Sequence, residues 1–270
     1  MFEKLAIAFQ NEGFLFFTLF FLGTLFGSFA NVVIVRLPAG ENIAKPRSAC
    51  RNCKSLIPWY HNFPIISWLI LRGRCYKCRT KFSARYPMVE FLMGVVFAAC
   101  GFRYGFTWML LESLIFVFGL VCCTFIDFDH MILPDELTLS GIVIGLLGSL
   151  LNPERQFLPS LYGVLLGGGF LWSIAYLYLV LRKREGMGGG DIKLIAWIGA
   201  ILGWTAIPVV IIGSSLLGAI VGLVLVAGQK DAFKKAIPFG PYLVAAALAF
   251  MFFHGERLGQ WYLQMHGFAD

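Results

Sequence analysis

Apolar runs about 17–25 residues long recur along this chain, and that is the length at which a helix crosses a bilayer. Nothing in the hydrocarbon bonds to a bare peptide group, so each run must satisfy its own backbone as a helix. The runs predict spans at residues 14–35, 88–103, 107–126, 137–151, 158–181, 192–204, 206–227 and 238–254. With 59% hydrophobic and 14% charged residues, the 270-residue chain is too apolar for an ordinary soluble domain. The fold class expected is an all-α polytopic membrane protein of about eight transmembrane helices, with the lipid bilayer as its surroundings. The first run, FLFFTLFFLGTLFGSFANVVIV, is too long for a signal-peptide core and lacks a basic flank before it, so no cleavable signal is expected. No internal repeat is evident.

The net charge of +7 is unevenly spread. Between Arg36 and Arg85 stand eleven Lys or Arg and one acid, Glu41. Beside a membrane, that bias marks a cytoplasmic loop rather than a nucleic-acid surface, and no nucleic-acid partner is expected. Eight spans threaded from this anchor make loops 127–136, 182–191 and 228–237 cytoplasmic as well. The last two carry Arg182, Lys183, Arg184 and Lys230, Lys234, Lys235. The loop at 152–157 falls outside, with only Arg155 against Glu154, and both termini lie outside the cytoplasm.

The basic loop holds Cys50-Arg-Asn-Cys53 and Cys75-Tyr-Lys-Cys78, with 21 residues between the pairs. Four thiolates from two tight turns suit a tetrahedral Zn²⁺ and leave it no open position, so the reading is a structural four-cysteine site. Two disulfides or a redox pair use the same residues; a reducing compartment argues against the former. Arg51, Lys54, Lys77 and Arg79 favour thiolates. Cys100, Cys122 and Cys123 lie in spans and read as small packing residues.

Three segments carry the acids of the bundle. FIDFDHMILPDEL holds Asp127, Asp129, Asp135 and Glu136; GGGDIK holds Asp191; AGQKDAF holds Asp231. Asp231 reads as a solvated loop acid, Asp129 likewise, and Asp135 as a helix N-cap. Asp127 follows an apolar run directly, at a helix C-terminus where the dipole disfavours negative charge. Acids at membrane depth are functional candidates by default. Asp191 opens the next helix on the same face, behind a glycine run that a cap alone does not need. Glycines there, Gly188, Gly189 and Gly190, would let an extended substrate strand approach. Two neighbouring carboxylates cannot easily both ionise, and such a pair can activate water and protonate a leaving amine. The helix ends predict Asp191 as the more acidic partner and Asp127 as the protonated one. A proton-coupled transporter and a purely structural polar pair are the competing readings, with a membrane assembly subunit behind them.

The segment GMGGGDIK resembles the GxGD signature of membrane aspartyl proteases, in the form typical of type IV prepilin peptidases. GSFANVVIVRLP, the paired CxxC motifs, IPWYHNFPIISWLILRGRC, RYPMVE, IDFDHMILPDELTL and IPFGPYL resemble blocks of that family in the same order, from about residue 20 to 245. Ala30 stands where the family more often has leucine, and Ser140 where it often has proline. The resemblance implies a multi-pass enzyme of the bacterial inner membrane. It implies removal, after a glycine at the cytoplasmic face, of the leader from type IV prepilins and type II secretion pseudopilins. It also implies N-methylation of the new N-terminal residue with S-adenosylmethionine as donor. The family's catalytic aspartates fall on Asp127 and Asp191, 64 positions apart, and its metal-binding cysteines on Cys50, Cys53, Cys75 and Cys78.

No strand–GxGxxG–helix context for a methyl-donor site is present. Asn31, Arg36 and Glu90, polar residues at the two roots of the basic loop, are candidates for that site or for anchoring the loop. Gly163, Gly167, Gly168 and Gly169 read as small-residue helix packing. The expected division is 1–35 as a first span, 36–87 as the four-cysteine zinc-binding domain and 88–270 as a membrane-embedded aspartyl peptidase bundle.

Overall fold

A computed structural model describes residues 12–45, 47–184, 188–227 and 237–253. Glu185, Gly186 and Met187 of the glycine-rich motif, and Lys230, Asp231, Lys234 and Lys235, lie outside the described residues. Each of the eight predicted runs is a helix: α1 (Glu12–Arg36), α2 (Arg85–Tyr104), α3 (Trp108–His130), α4 (Asp135–Leu151), α5 (Phe157–Arg182), α6 (Gly189–Leu202), α7 (Ala206–Ala227) and α8 (Gly240–Phe252). Among the described residues the only β pairing is two isolated bridges. Among the described residues, five helices are long and apolar enough to cross a membrane: α1, α2, α3, α5 and α7. At 1.5 Å per residue the 14-residue α6 reaches about 21 Å, short of the roughly 30 Å of hydrocarbon.

The chain divides into two compact units, residues 1–122 and 123–270. In the first, α1 lies along α2. Gly23 and Gly27, one turn apart on α1, meet the α2 backbone at Met93, Gly94 and Glu90. Phe26 packs on Phe97 and Phe118, and Phe29 stacks on Phe118.

In the second unit α6 is the interior helix. Every residue from Leu194 to Ile201 is buried, as expected for a helix apolar on all sides. It packs against α4, α5, α7 and α8. Small residues bring these axes close. A Cβ on Gly163 of α5 would run into the Gly199 carbonyl of α6, and one on Gly199 into that of Gly163. Gly167 faces the Ile195 backbone and Gly168 the Ala196 methyl, so these three bear out the packing reading; Gly169 has no neighbour within 4 Å. On the other side, Gly141 of α4 seats the Trp197 indole and Gly145 meets Ala200. The outer faces of α5 and α7 keep Leu165, Phe170, Trp172, Ile212, Leu216 and Leu223 exposed, an apolar surface suited to lipid.

Arg155 does more than the loop charge read from sequence. Its guanidinium reaches inward, donating to the Gly145 carbonyl at 3.3 Å, to the Ser160 hydroxyl at 2.8 Å and to the Ala200 carbonyl. One side chain thus ties α4, α5 and α6 together at the same end.

Gly163→Ala is expected to lower stability by about 1–3 kcal/mol or more, because the methyl meets backbone that cannot move aside. Gly169→Ala, facing open space, is expected to stay within about 0.5 kcal/mol. Thermal denaturation of the purified protein in detergent compares the two. Equal effects would show that the α5–α6 contact is not as close as described.

Candidate functional site

Three helix ends in the second unit converge on Asp127. The residue lies in the last turn of α3 and is only 5% exposed. Its carbonyl accepts the Met131 N–H at 2.9 Å, and Met131 ends the helix in a left-handed conformation at φ 54°. Its carboxylate Oδ2 accepts the backbone N–H of Gly240, the first residue of α8, at 2.9 Å. A Cβ at Gly240 would stand 2.7 Å from that oxygen, so only glycine brings the amide this close. Asp127 therefore meets a helix N-terminus as well as the C-terminus of its own helix. The protonation order read from sequence counted only the second of these.

Asp191 is in the first turn of α6, half-buried, where the unbonded amides of a helix start favour an anion. Gly188, extended at φ −68° and ψ 139°, takes the cap position, and the Asp191 N–H donates to its carbonyl at 3.3 Å. Leu133 closes the cluster: it is buried against both Gly190 and Gly240, whose backbones flank the two acids. Gly190 therefore has a packing reason to be glycine, since a Cβ there would lie 2.8 Å from Cβ of Leu133. Gly188 and Gly189 are exposed, and a side chain at Gly189 would meet nothing within 4 Å.

Asp129, His130 and Glu136 are exposed. Asp135 is not the N-cap of α4. Pro134 holds that position in an extended conformation, and Asp135 is the first helical residue. Its carboxylate pairs instead with Lys193 of α6 at 2.5 Å, a link that the sequence reading did not contain. Lys193 follows Asp191 by two positions, so the pair joins the starts of α4 and α6 beside Asp191. Ser140, one of the departures from the family pattern, bonds back to the Glu136 carbonyl.

The four cysteines of the loop form one cluster, with all Sγ atoms within 4.8 Å of one another. Cys50 and Cys78 are 3.7 Å apart, and Cys53 and Cys75 3.9 Å. A tetrahedron with metal–sulfur bonds of about 2.3 Å has edges of roughly 3.8 Å, so the set fits a zinc ion. The two turns are built alike, a local repeat at an offset of 25 residues. Lys54 N–H donates to the Cys50 carbonyl and Arg79 N–H to that of Cys75, with Lys54 and Arg79 left-handed at φ 57° and 60°. The Cys50 N–H donates to the Ser55 carbonyl and the Cys75 N–H to that of Thr80. The Thr80 hydroxyl and then its amide pull the Cys78 thiol down to about 5, and the Ser55 hydroxyl and amide lower Cys53 in the same way. The thiolate, the ligand form, is thus promoted at Cys53 and Cys78, whereas Cys50, despite the Cys53 amide, is pushed up to about 11 by burial and by the neighbouring Cys75 and Cys53 thiols. Cys100, Cys122 and Cys123 are buried, as packing residues should be.

Asn31, Arg36 and Glu90 each make an anchoring contact. Asn31 Nδ2 donates to the carbonyls of Gly27 and Tyr86, Arg36 Nη1 to that of Asn42, and Glu90 Oε2 accepts the Ile65 N–H at 2.6 Å.

Comparison with known proteins gives two family models in tandem. The bacterial peptidase A24 N-terminal domain matches residues 21–104, and the type IV leader peptidase family residues 114–223. Among curated relatives, the prepilin leader peptidase/N-methyltransferase of Aeromonas hydrophila is 39% identical over 92% of this chain and 94% of its own length. Proteins of the same description from Stutzerimonas stutzeri and Pseudomonas aeruginosa are 36% and 35% identical, each over more than nine-tenths of its own length. No solved structure matches significantly.

Cys78→Ser is expected to take bound zinc from about one ion per chain to well below half, since a structural site needs all four ligands. Ser55→Ala and Thr80→Ala, which remove only a supporting hydroxyl, are expected to weaken retention by roughly tenfold against a chelator. Elemental analysis of purified protein checks both; full zinc in Cys78→Ser would remove the cluster from the metal site.

Proposed function

The chain belongs to the type IV leader peptidase family, and from that premise we propose that it is a membrane-embedded aspartyl endopeptidase with a second, N-methyltransferase activity. Its substrates in this reading are type IV prepilins and type II secretion pseudopilins, cut after a glycine and then methylated on the new N-terminal residue. The observation that supports the peptidase half is the arrangement around Leu133, which packs against Gly190, the neighbour of Asp191, and against Gly240, whose amide bonds Asp127.

The roles follow from that arrangement. One carboxylate takes a proton from water, which attacks the scissile carbonyl, and the other gives a proton to the departing nitrogen. No covalent enzyme intermediate is required. The open backbone at Gly188 and Gly189 leaves room for an extended leader segment beside Asp191. Gly190 belongs to the same approach, although its immediate contact is Leu133. The pilin's apolar N-terminal helix stays in the bilayer beside the bundle.

The cysteines in this reading hold a structural Zn²⁺ that folds the loop at 36–87, with the span before it and the peptidase bundle of 88–270 after it. S-adenosylmethionine supplies the methyl group, and Asn31, Arg36 and Glu90 are the residues assigned to its neighbourhood. The basic bias of the loop supports a cytoplasmic position for the zinc site and for the aspartates, in a multi-pass protein of the inner membrane.

Intact mass of a prepilin co-expressed with wild type, Asp127→Asn or Asp191→Asn tests the proposal. Leader removal is expected to fall at least about 10³-fold in each variant while the protein remains in the membrane. The wild-type product is expected to carry one further methyl. An Asn variant that still cleaves at the wild-type rate would remove that aspartate from the chemistry.

A further inference from the structure

Within the second unit, four residues, 131–134, join α3 to α4, and their backbone has little freedom. Met131 is left-handed at φ 54°, and the ring of Pro134 fixes φ there at −62°. Leu133 precedes that proline, which disfavours a helical conformation for it. The Pro134 carbonyl accepts the N–H and the hydroxyl of Thr138, each at 3.1 Å, so the first turn of α4 is bonded back to the connection. Asp127 near the end of α3 and Asp135 at the start of α4 are therefore two ends of one stiff bracket.

The bracket is seated on the start of α6 at two points. Leu133, 9% exposed, packs on Gly190, the residue before Asp191. Asp135 Oδ1 pairs with Nζ of Lys193, two residues after Asp191, at 2.5 Å. The two contacts straddle Asp191. On its N-terminal side the chain gives α6 no comparable support: Gly188 and Gly189 are exposed, and a side chain at Gly189 would meet nothing within 4 Å. The ion pair is itself partly open to water, its side chains 36% and 55% exposed, and pairs of this kind add little stability. What it supplies is geometry, a directed contact to the helix turn that holds Asp191.

Resting on the peptidase reading above, we propose that Asp135 and Lys193 are positioning residues for the cleavage reaction. Their ion pair fastens the α3–α4 connection to the first turn of α6, and so fixes where Asp191 stands relative to Asp127. Neither side chain touches substrate or moves a proton in this role. Without the pair, the seat rests on Leu133 against glycine, an apolar contact with no preferred direction. A displacement of about 1 Å at a reacting group costs up to about 10²-fold in rate.

Steady-state cleavage of a prepilin by the full-length protein in detergent tests the assignment. Lys193→Met and Asp135→Ala are each expected to lower kcat about tenfold with KM within about twofold, the split of a positioning defect rather than lost substrate binding. Melting midpoints are expected to stay within about 3 °C of wild type, which also reports that the variants are folded. The exchanged pair, Asp135→Lys with Lys193→Asp, is expected to recover most of the lost rate, and Lys193→Arg to keep it. Glu136→Gln, the same loss of charge one position along α4, is expected to leave kcat unchanged. Single variants within about threefold of wild type in kcat would overturn the proposal, since a displaced acid must cost more. Singles that fall without recovery in the exchanged pair would overturn it as well, because one residue would then act by itself. Hydrogen exchange supplies a readout without turnover. Asp135→Ala changes nothing within α6, yet amides 191–196 are expected to exchange about threefold faster or more, as local opening there becomes easier. Unchanged exchange would overturn the pair as a support of α6. Faster exchange in a protein whose wild type leaves prepilin uncut would sink the peptidase reading and not the contact.

Discussion

The burial of α6 is the constraint on which the second unit depends. A 14-residue helix is too short to cross the hydrocarbon unaided, and eight consecutive residues of it are buried inside protein. It can sit there because its backbone groups are bonded within the helix and because its neighbours come close. The contact of Gly163 with Gly199 sets that approach on one side, and the seat of Trp197 at Gly141 sets it on the other. Packed in this way, α6 carries Asp191 on a rigid element rather than on a loop. Asp127 is on a helix too, and the α8 amide that meets it begins a third. Geometry held by helices is more tightly defined than geometry held by loops, and both acids have it.

The loop of the first unit has the opposite problem. It has few buried apolar residues, with Trp59, Tyr60, Leu69 and Ile70 all exposed, so its fold cannot rest on a hydrophobic core. Two short turns bring four sulfurs together instead, and each turn is closed by equivalent amide bonds and a left-handed residue at the equivalent position, Lys54 or Arg79. A metal ion at the centre would hold these turns through ligand bonds, so metal binding and loop folding become one equilibrium. Cys50 and Cys75 also line a cavity of 460 Å³ in the first unit, beside Arg36, Trp68 and Glu90.

What could be read from sequence was what local rules decide. All eight helices fell within a few residues of their expected bounds, because apolar length and period suffice for a membrane helix. The cysteine spacing was enough to expect one cluster, and an acid after an apolar run was enough to single out Asp127. Contacts between distant positions were not readable. Nothing near Arg155 announces that its guanidinium turns inward to Ala200, 45 residues on. Nothing near Asp135 names Lys193, 58 residues away. There the local rule also misled: an acid after proline before an apolar run looks like a cap, but Pro134, already extended, fills that place itself.

Asp127 shows most clearly why local reasoning stops short. Taken with α3 alone, it is an acid at the negative end of a helix dipole, and protonation is the obvious remedy. Gly240 lies 113 residues away and presents the start of α8 to the same carboxylate. Two helix ends of opposite sign now act on one group. Gly240 is glycine because a side chain would occupy the space of the carboxylate oxygen itself. The segment IPFGPYL is thereby accounted for physically. Its glycine admits the acid, and Pro241, which has no N–H to leave unpaired, starts the helix behind it. The charge state of Asp127 thus belongs to α3 and α8 together, and neither helix alone fixes it.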